Sequence, residues 1–160
     1  MVDPSLQNAK QFAQKKDGWC GSAALAFALS KVGIDVTQEQ MVKDTGTTKD
    51  GCDPKDMIQA VKKHGGTVDI ISGKEPKTTL SQLDEAVKEK KSVIVDYLVS
   101  GEKEGGHYVV FLGKSGNNVK IWNPSGGKYD MLDKSYFIEN WRDRTEEGKL
   151  MKNWAMVIGA

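Results

Sequence analysis

The chain holds two cysteines, Cys20 and Cys52, and two histidines, His64 and His107. Cysteine and histidine are the side chains best suited to nucleophilic and proton-transfer chemistry near neutral pH. Cys20 sits in Gln14-Lys15-Lys16-Asp17-Gly18-Trp19-Cys20-Gly21-Ser22-Ala23-Ala24-Leu25, where a glycine-containing turn runs into an apolar stretch. His107 sits in Gly105-Gly106-His107-Tyr108-Val109-Val110-Phe111, and Ile121-Trp122-Asn123-Pro124 follows. Cys, His and Asn in that order, with Gln14 leading, are the parts of a thiol site for acyl chemistry.

A cysteine attacks as its thiolate, and a free thiol titrates near ~8.5. A helix N-terminus and an imidazolium partner both lower that value, so Cys20 is expected to form an ion pair with His107. Asn123 would orient the ring by accepting its second N–H. Gln14 would donate its side-chain amide to the oxyanion, together with the backbone N–H of Cys20. Singly, each residue has a plainer role: a small buried thiol, a loop-end histidine, a turn asparagine, an ordinary glutamine. Their joint order carries the inference.

The elements that must hold these groups can be read from periodicity. Residues 5–16 form a polar lead-in with a helical turn or two. Residues 20–32 form a helix that is apolar nearly all round and so central, with Gly33 ending it. Thr37-Gln38-Glu39-Gln40 is a capping box opening a helix through Lys43. Asp53-Pro54 opens another, with Met57, Ile58 and Val61 facing inward and Gly65-Gly66 stopping it. Thr79-Leu80-Ser81-Gln82 is a second capping box, starting a helix that ends near Lys91 with Leu83, Ala86 and Val87 inward.

Strands are expected at 67–72, 92–99, 107–113, 118–122, 128–132 and 154–158. Asp133 caps a helix carrying Tyr136, Phe137, Ile138 and Trp141. The Gly116-Asn117-Asn118 turn makes 107–122 a hairpin, and antiparallel pairing then brings His107 and Asn123 to the same open end. Residues 101–106 read as a mobile loop ahead of His107. Helices gathered mostly before antiparallel strands argue an α+β fold. Residues 1–160 read as a single domain.

Composition excludes several classes. The 23 basic and 22 acidic residues balance to +1, which gives no electrostatic footprint for nucleic acid or an anionic membrane. The longest strongly apolar run, 23–29, is too short to cross a bilayer, so no membrane segment is expected. The N-terminus carries no signal-peptide pattern. Two cysteines make no disulfide framework, which suggests a cytoplasmic or cytoplasm-facing protein. The cysteines and histidines lack zinc spacing, so no metal or cofactor is expected. Gly113-Lys114-Ser115 lacks the upstream glycine of a phosphate loop. His64, in the last turn of its helix, is explained by the helix dipole. Cys52 reads as structural.

Gln14-x5-Cys20-Gly21-x-Ala23-x-Leu25, Gly106-His107-Tyr108-Val109-Val110 and Ile121-Trp122-Asn123-Pro124 together resemble the bacteriocin-processing, double-glycine cysteine peptidases and their stand-alone relatives. The resemblance runs from Gln14 to the terminal Trp154-Ala155-Met156-Val157 segment. It implies a papain-like fold, with N-terminal helices packed on a C-terminal antiparallel sheet. It implies Cys20 as nucleophile, His107 as base and acid, Gln14 as oxyanion donor, and a peptide or protein substrate. It also implies that the chain can be part of a larger protein. The third member in that family is usually aspartate in an Asp-Pro pair; here it is Asn123, the residue type papain uses. Two other outcomes suit the same site: an amidase, isopeptidase or transglutaminase-like acyltransferase, and a catalytically silent domain that binds peptide.

Overall fold

The apolar stretch after Cys20 becomes α1 (Cys20–Lys31), buried from Gly21 to Leu29 on all sides. A helix without a polar face is stable only when covered all round, and the other elements do this. The structure is a computed structural model that describes residues 9–72, 75–98, 106–144 and 148–160. The expected loop at 101–106 lies outside these except for Gly106.

After α1 come α2 (Gln38–Thr45), α3 (Pro54–Lys63), β1 (Thr67–Ile71), α4 (Pro76–Lys88), β2 (Ser92–Tyr97), β3 (His107–Ser115), β4 (Asn118–Asn123), β5 (Lys128–Asp133), α5 (Lys134–Asn140), β6 (Arg142–Arg144), β7 (Leu150–Lys152) and β8 (Ala155–Gly159). Six strands form one antiparallel sheet in the order β1-β8-β2-β3-β4-β5, and β6 pairs with β7 alone. The last strand inserts between β1 and β2, so the chain's end is stitched into the middle of the sheet.

Alternation along the strands sorts the core into two layers. Ile94, Val110, Trp122, Met156 and Ile158 pack with α1, α2 and α3. Val93, Val95, Val109, Phe111, Ile121 and Val157 pack with Leu80 and Leu83 of α4 and Phe137 of α5. The fold is α+β, with its N-terminal helices on a mainly C-terminal sheet as expected, and two later helices cover the sheet's other face. Trp122 locks the first layer. Its ring stacks on Phe27 of α1 at 4.1 Å and 3°, and its Nε1 donates to the Ala9 carbonyl at 3.1 Å.

Several local expectations shift. The box at Thr79 is not the start of α4; Pro76 opens the helix and the Glu75 carboxylate accepts from the N–H groups of Lys77 and Thr78 at 3.0 and 2.8 Å. Proline is preset for the first turn, and an acid caps the free N–H groups there, so the helix starts earlier. Thr79 instead bonds back to the Glu75 carbonyl at 2.8 Å. Asp53 takes the N-cap position of α3 without a side-chain capping bond. Trp141 falls just past α5, buried, with its Nε1 on the Trp154 carbonyl at 2.9 Å. The short β6–β7 ribbon has too little periodic sequence to be read in advance.

Trp122→Ala should cost about 3–5 kcal/mol, because it removes a fully buried indole and leaves the Ala9 carbonyl without a donor. Urea unfolding monitored by circular dichroism checks this; a loss under about 1 kcal/mol would show that the stack is not central.

Candidate active site

His107 opens β3 and Asn123 closes β4. Their proximity depends on a register change. Ser115 pairs with Asn118 and Gly113 with Lys120, but Phe111 pairs with Ile121 and Val110 with Trp122, so β3 carries one extra residue between Phe111 and Gly113. A one-residue shift exchanges the faces of every later side chain. The bulge therefore gives Asn123 the same face as Val109 and His107. The His107 Nε2 lies 2.8 Å from the Asn123 Oδ1. The Tyr97 ring meets the His107 ring edge-on at 6.4 Å.

Three further bonds fix this corner. The Asn123 Oδ1 also accepts from the Ser125 N–H at 2.9 Å, and its Nδ2 donates to the Asp130 Oδ2 of β5 at 3.1 Å. The Gln14 N–H donates to the Pro124 carbonyl at 2.8 Å, tying the segment before Cys20 to the end of β4. Buried Gln38 of α2 grips the same segment from the other side. Its Nε2 donates to the Ala13 carbonyl at 2.9 Å, and its Oε1 accepts from the Lys15 N–H at 3.0 Å. The Gln14 side chain donates from Nε2 to the Lys16 carbonyl at 3.1 Å, while its Oε1 is buried without a partner. A primary amide has two N–H protons, so one remains for a ligand.

Cys20 is the first residue of α1, as the sequence suggests. Its sulfur is acted on by the Tyr108 backbone N–H, one residue beyond His107. No hydrogen bond joins the Cys20 sulfur to the His107 ring. The expected low thiol pKa is also reversed. Burial pushes the Cys20 thiol up to about 12, and any charge on the neighbouring Asp96 and Cys52 would add to the rise; the backbone N–H groups of Tyr108 and Gly21 only partly oppose it. Desolvation of a thiolate outweighs a short helix start here. The second thiol stands close by: a Cβ on Gly21 would lie 2.8 Å from the Cys52 sulfur and 3.1 Å from the Tyr108 ring, so only glycine fits there. Burial likewise pushes Cys52 up to about 11. The Tyr108 hydroxyl donates to the Cys52 carbonyl at 3.2 Å.

Beneath Gly106 lie two acids, Asp96 and Asp143. A Cβ on Gly106 would collide with a carboxylate oxygen of each. Asp96 is 1% exposed, and its carboxyl lies against the Asp143 carboxyl and the His107 backbone N–H. Burial pushes its carboxyl well above the usual range, Asp143 adds to this, and the His107 backbone N–H opposes it. A proton on Asp96 turns an acceptor–acceptor clash into a donor–acceptor bond. His64 stays apart from this site: its Nε2 lies 2.7 Å from the Asp44 Oδ2, a partner additional to the helix dipole.

The sequence from residue 6 to 149 matches the model of the family described as Peptidase_C39 like. The chain belongs to this family. Solved structures agree at the level of fold. The peptidase domain of Streptococcus ComA, a bifunctional ABC transporter involved in quorum sensing, superposes with a TM-score of 0.72 at 20% identity, over 92% of this chain and 95% of that one. A double glycine motif protease from an AMS/PCAT transporter, solved with its leader peptide, gives 0.66 at 20% identity over 92% and 86%. A C39-like peptidase candidate from Bacillus anthracis gives 0.69 at 16% identity over 96% of both chains. Among curated proteins, none matches. The fold is thus that of papain-like C39 peptidase domains. No helix among the described residues is long and apolar enough to cross a membrane.

Within this C39-like chain, Gln38, Asp130 and Asp143 escaped the sequence reading. Asp17 and Asp96 stand out in the sequence as acids that could lie near the site, but no spacing places them; the acid on the otherwise apolar strand Val93-Ile94-Val95-Asp96 is the signal that fits a buried site. Gln38, Asp130 and Asp143 lie in polar stretches where nothing marks them.

Alkylation of Cys20 by iodoacetamide should accelerate about tenfold per pH unit between pH 7 and 10 without levelling, because a thiol near 12 is protonated throughout this range. Mass spectrometry of the modified peptide measures it, and a plateau below pH 8 would restore the ion pair. Asp96 gives a second expectation. The native state holds a proton that the unfolded chain releases near ~3.9, so the contribution of Asp96 to stability is greatest at low pH and falls as pH rises towards the raised native value. Asp96→Asn carries no such proton. Its melting temperature should exceed that of the parent by a gap that widens from pH 4 to pH 7; a constant gap in calorimetry would contradict the assignment.

Proposed function

We propose that this chain is a cysteine peptidase, with Cys20 as nucleophile, His107 as general base and acid, Asn123 as orienter, and Gln14 with the Cys20 backbone N–H as oxyanion donors. The observation that supports it most is the His107–Asn123 bond at 2.8 Å on a C39-like fold. That bond uses Nε2 and leaves Nδ1 for the thiol.

Cys20 rests as a neutral thiol, so proton removal by His107 accompanies attack on the carbonyl. The sulfur–carbon bond forms as the thiol proton moves to Nδ1. The tetrahedral oxyanion meets the Gln14 amide and the N–H of Cys20. The imidazolium returns its proton to the leaving amine as the peptide bond breaks. Water then takes the amine's place and releases the acyl group by the same steps.

One protease of this fold, a double glycine motif protease, was solved in complex with its leader peptide, so a peptide carrying Gly-Gly is the first substrate to try. Cys20→Ala and His107→Ala should each abolish cleavage, and Gln14→Ala should lower kcat about 10²-fold or more. Mass spectrometry of the digest reads the outcome; cleavage that survives Cys20→Ala sinks the proposal. The raised thiol favours one rival, a peptide-binding domain without turnover. It requires wild-type protein to bind peptide, measured by calorimetry, with no product and no acyl-enzyme.

A further inference from the structure

We infer that Asp130 is a positioning residue for His107, acting through the Asn123 amide. The inference rests on the proposed site but is argued from an independent set of bonds. The Asn123 Oδ1 faces two donors, the His107 Nε2 and the Ser125 N–H, while its Nδ2 donates to the Asp130 carboxylate. Turning the amide over would set N–H against the Ser125 N–H and oxygen against carboxylate. Asp130, together with the Ser125 N–H, therefore decides which end of the amide the ring meets.

The orientation of the amide then decides the tautomer. A carbonyl oxygen accepts and cannot donate, so neutral His107 must carry its proton on Nε2, and Nδ1 keeps its lone pair. A thiol proton can be taken only by that lone pair. Asp130 also places a negative charge at the far end of the amide dipole. This strengthens Oδ1 as an acceptor when the ring becomes imidazolium. The charged and titratable groups near the relay include His107 from β3, with the Tyr97 ring of β2 against its ring and Asp96, beside Asp143, at its backbone N–H, and Asp130 and Lys128 from β5, Lys128 being opposite Asn123 in register. The segment before α1 reaches this corner through Gln14, which is uncharged.

The same geometry predicts a coupling between positions 123 and 130. An aspartate at 123 would set two carboxylates about as close as the present 3.1 Å bond. Like charges at that distance repel or must share a proton.

The test uses the full chain and four variants, Asp130→Asn, Asp130→Ala, Asn123→Asp and the double variant Asn123→Asp with Asp130→Asn. Asp130→Ala should lower kcat/KM tenfold or more, and Asp130→Asn, which still accepts from Nδ2, should recover most of that loss. Asn123→Asp alone should be at least tenfold worse than the double variant. A substrate-free readout accompanies these: nitrogen NMR of the labelled ring should report the Nε2–H tautomer in the parent and in Asp130→Asn, and a mixture in Asp130→Ala. The inference fails if Asp130→Ala keeps the parent's tautomer, or if Asn123→Asp alone matches the double variant. If the parent cleaves nothing, the ring signals still decide the role of Asp130, and only the peptidase reading falls.

Discussion

The register of the β3–β4 hairpin changes by one residue between Phe111 and Gly113, and the rest of the site depends on that change. Side chains alternate faces along a strand, so an even hairpin would have set Asn123 on the face of Val110, away from His107. With the extra residue, Trp122 turns to α1 and stacks on Phe27. Asn123 turns the other way and meets His107. One irregularity thus serves the core and the site together, which is a common use of bulges beside functional groups.

The helix that carries Cys20 is held against this hairpin by two kinds of force. Burial of α1 on all sides fixes its axis, since it has no face to offer water. Directional bonds then fix the segment before it: Gln14 to the Pro124 carbonyl, and the Gln38 side chain to Ala13 and Lys15. Apolar packing is tolerant of small rotations, whereas these bonds are not. Together they bring a thiol, an imidazole and two carboxamides to one end of the sheet.

The electrostatics of the corner follow from desolvation more than from the helix dipole. Burial holds the Cys20 and Cys52 thiols and the Asp96 carboxyl in their neutral forms. In the proposed reaction a site built from neutral groups must move a proton, so the orientation of His107, and so of the Asn123 amide, becomes the decisive geometric quantity.

Much of this was legible in the residues themselves. The buried helix after Cys20, the Thr37 capping box, the hairpin around Gly116 and the α+β order all follow from local periodicity and turn chemistry, which short stretches of sequence encode directly. The order Gln14, Cys20, His107, Asn123 along the chain is what points to the proposed thiol site. What only the tertiary structure decided were relations between distant segments. These are the insertion of β8 between β1 and β2, the face shared by His107 and Asn123, the meeting of Asp96 with Asp143 beneath Gly106, and the depth at which Cys20 is buried. Solvent exclusion and strand register are properties of the assembled core. The helix start at Cys20 was written in the sequence; the protonation state of its thiol was not.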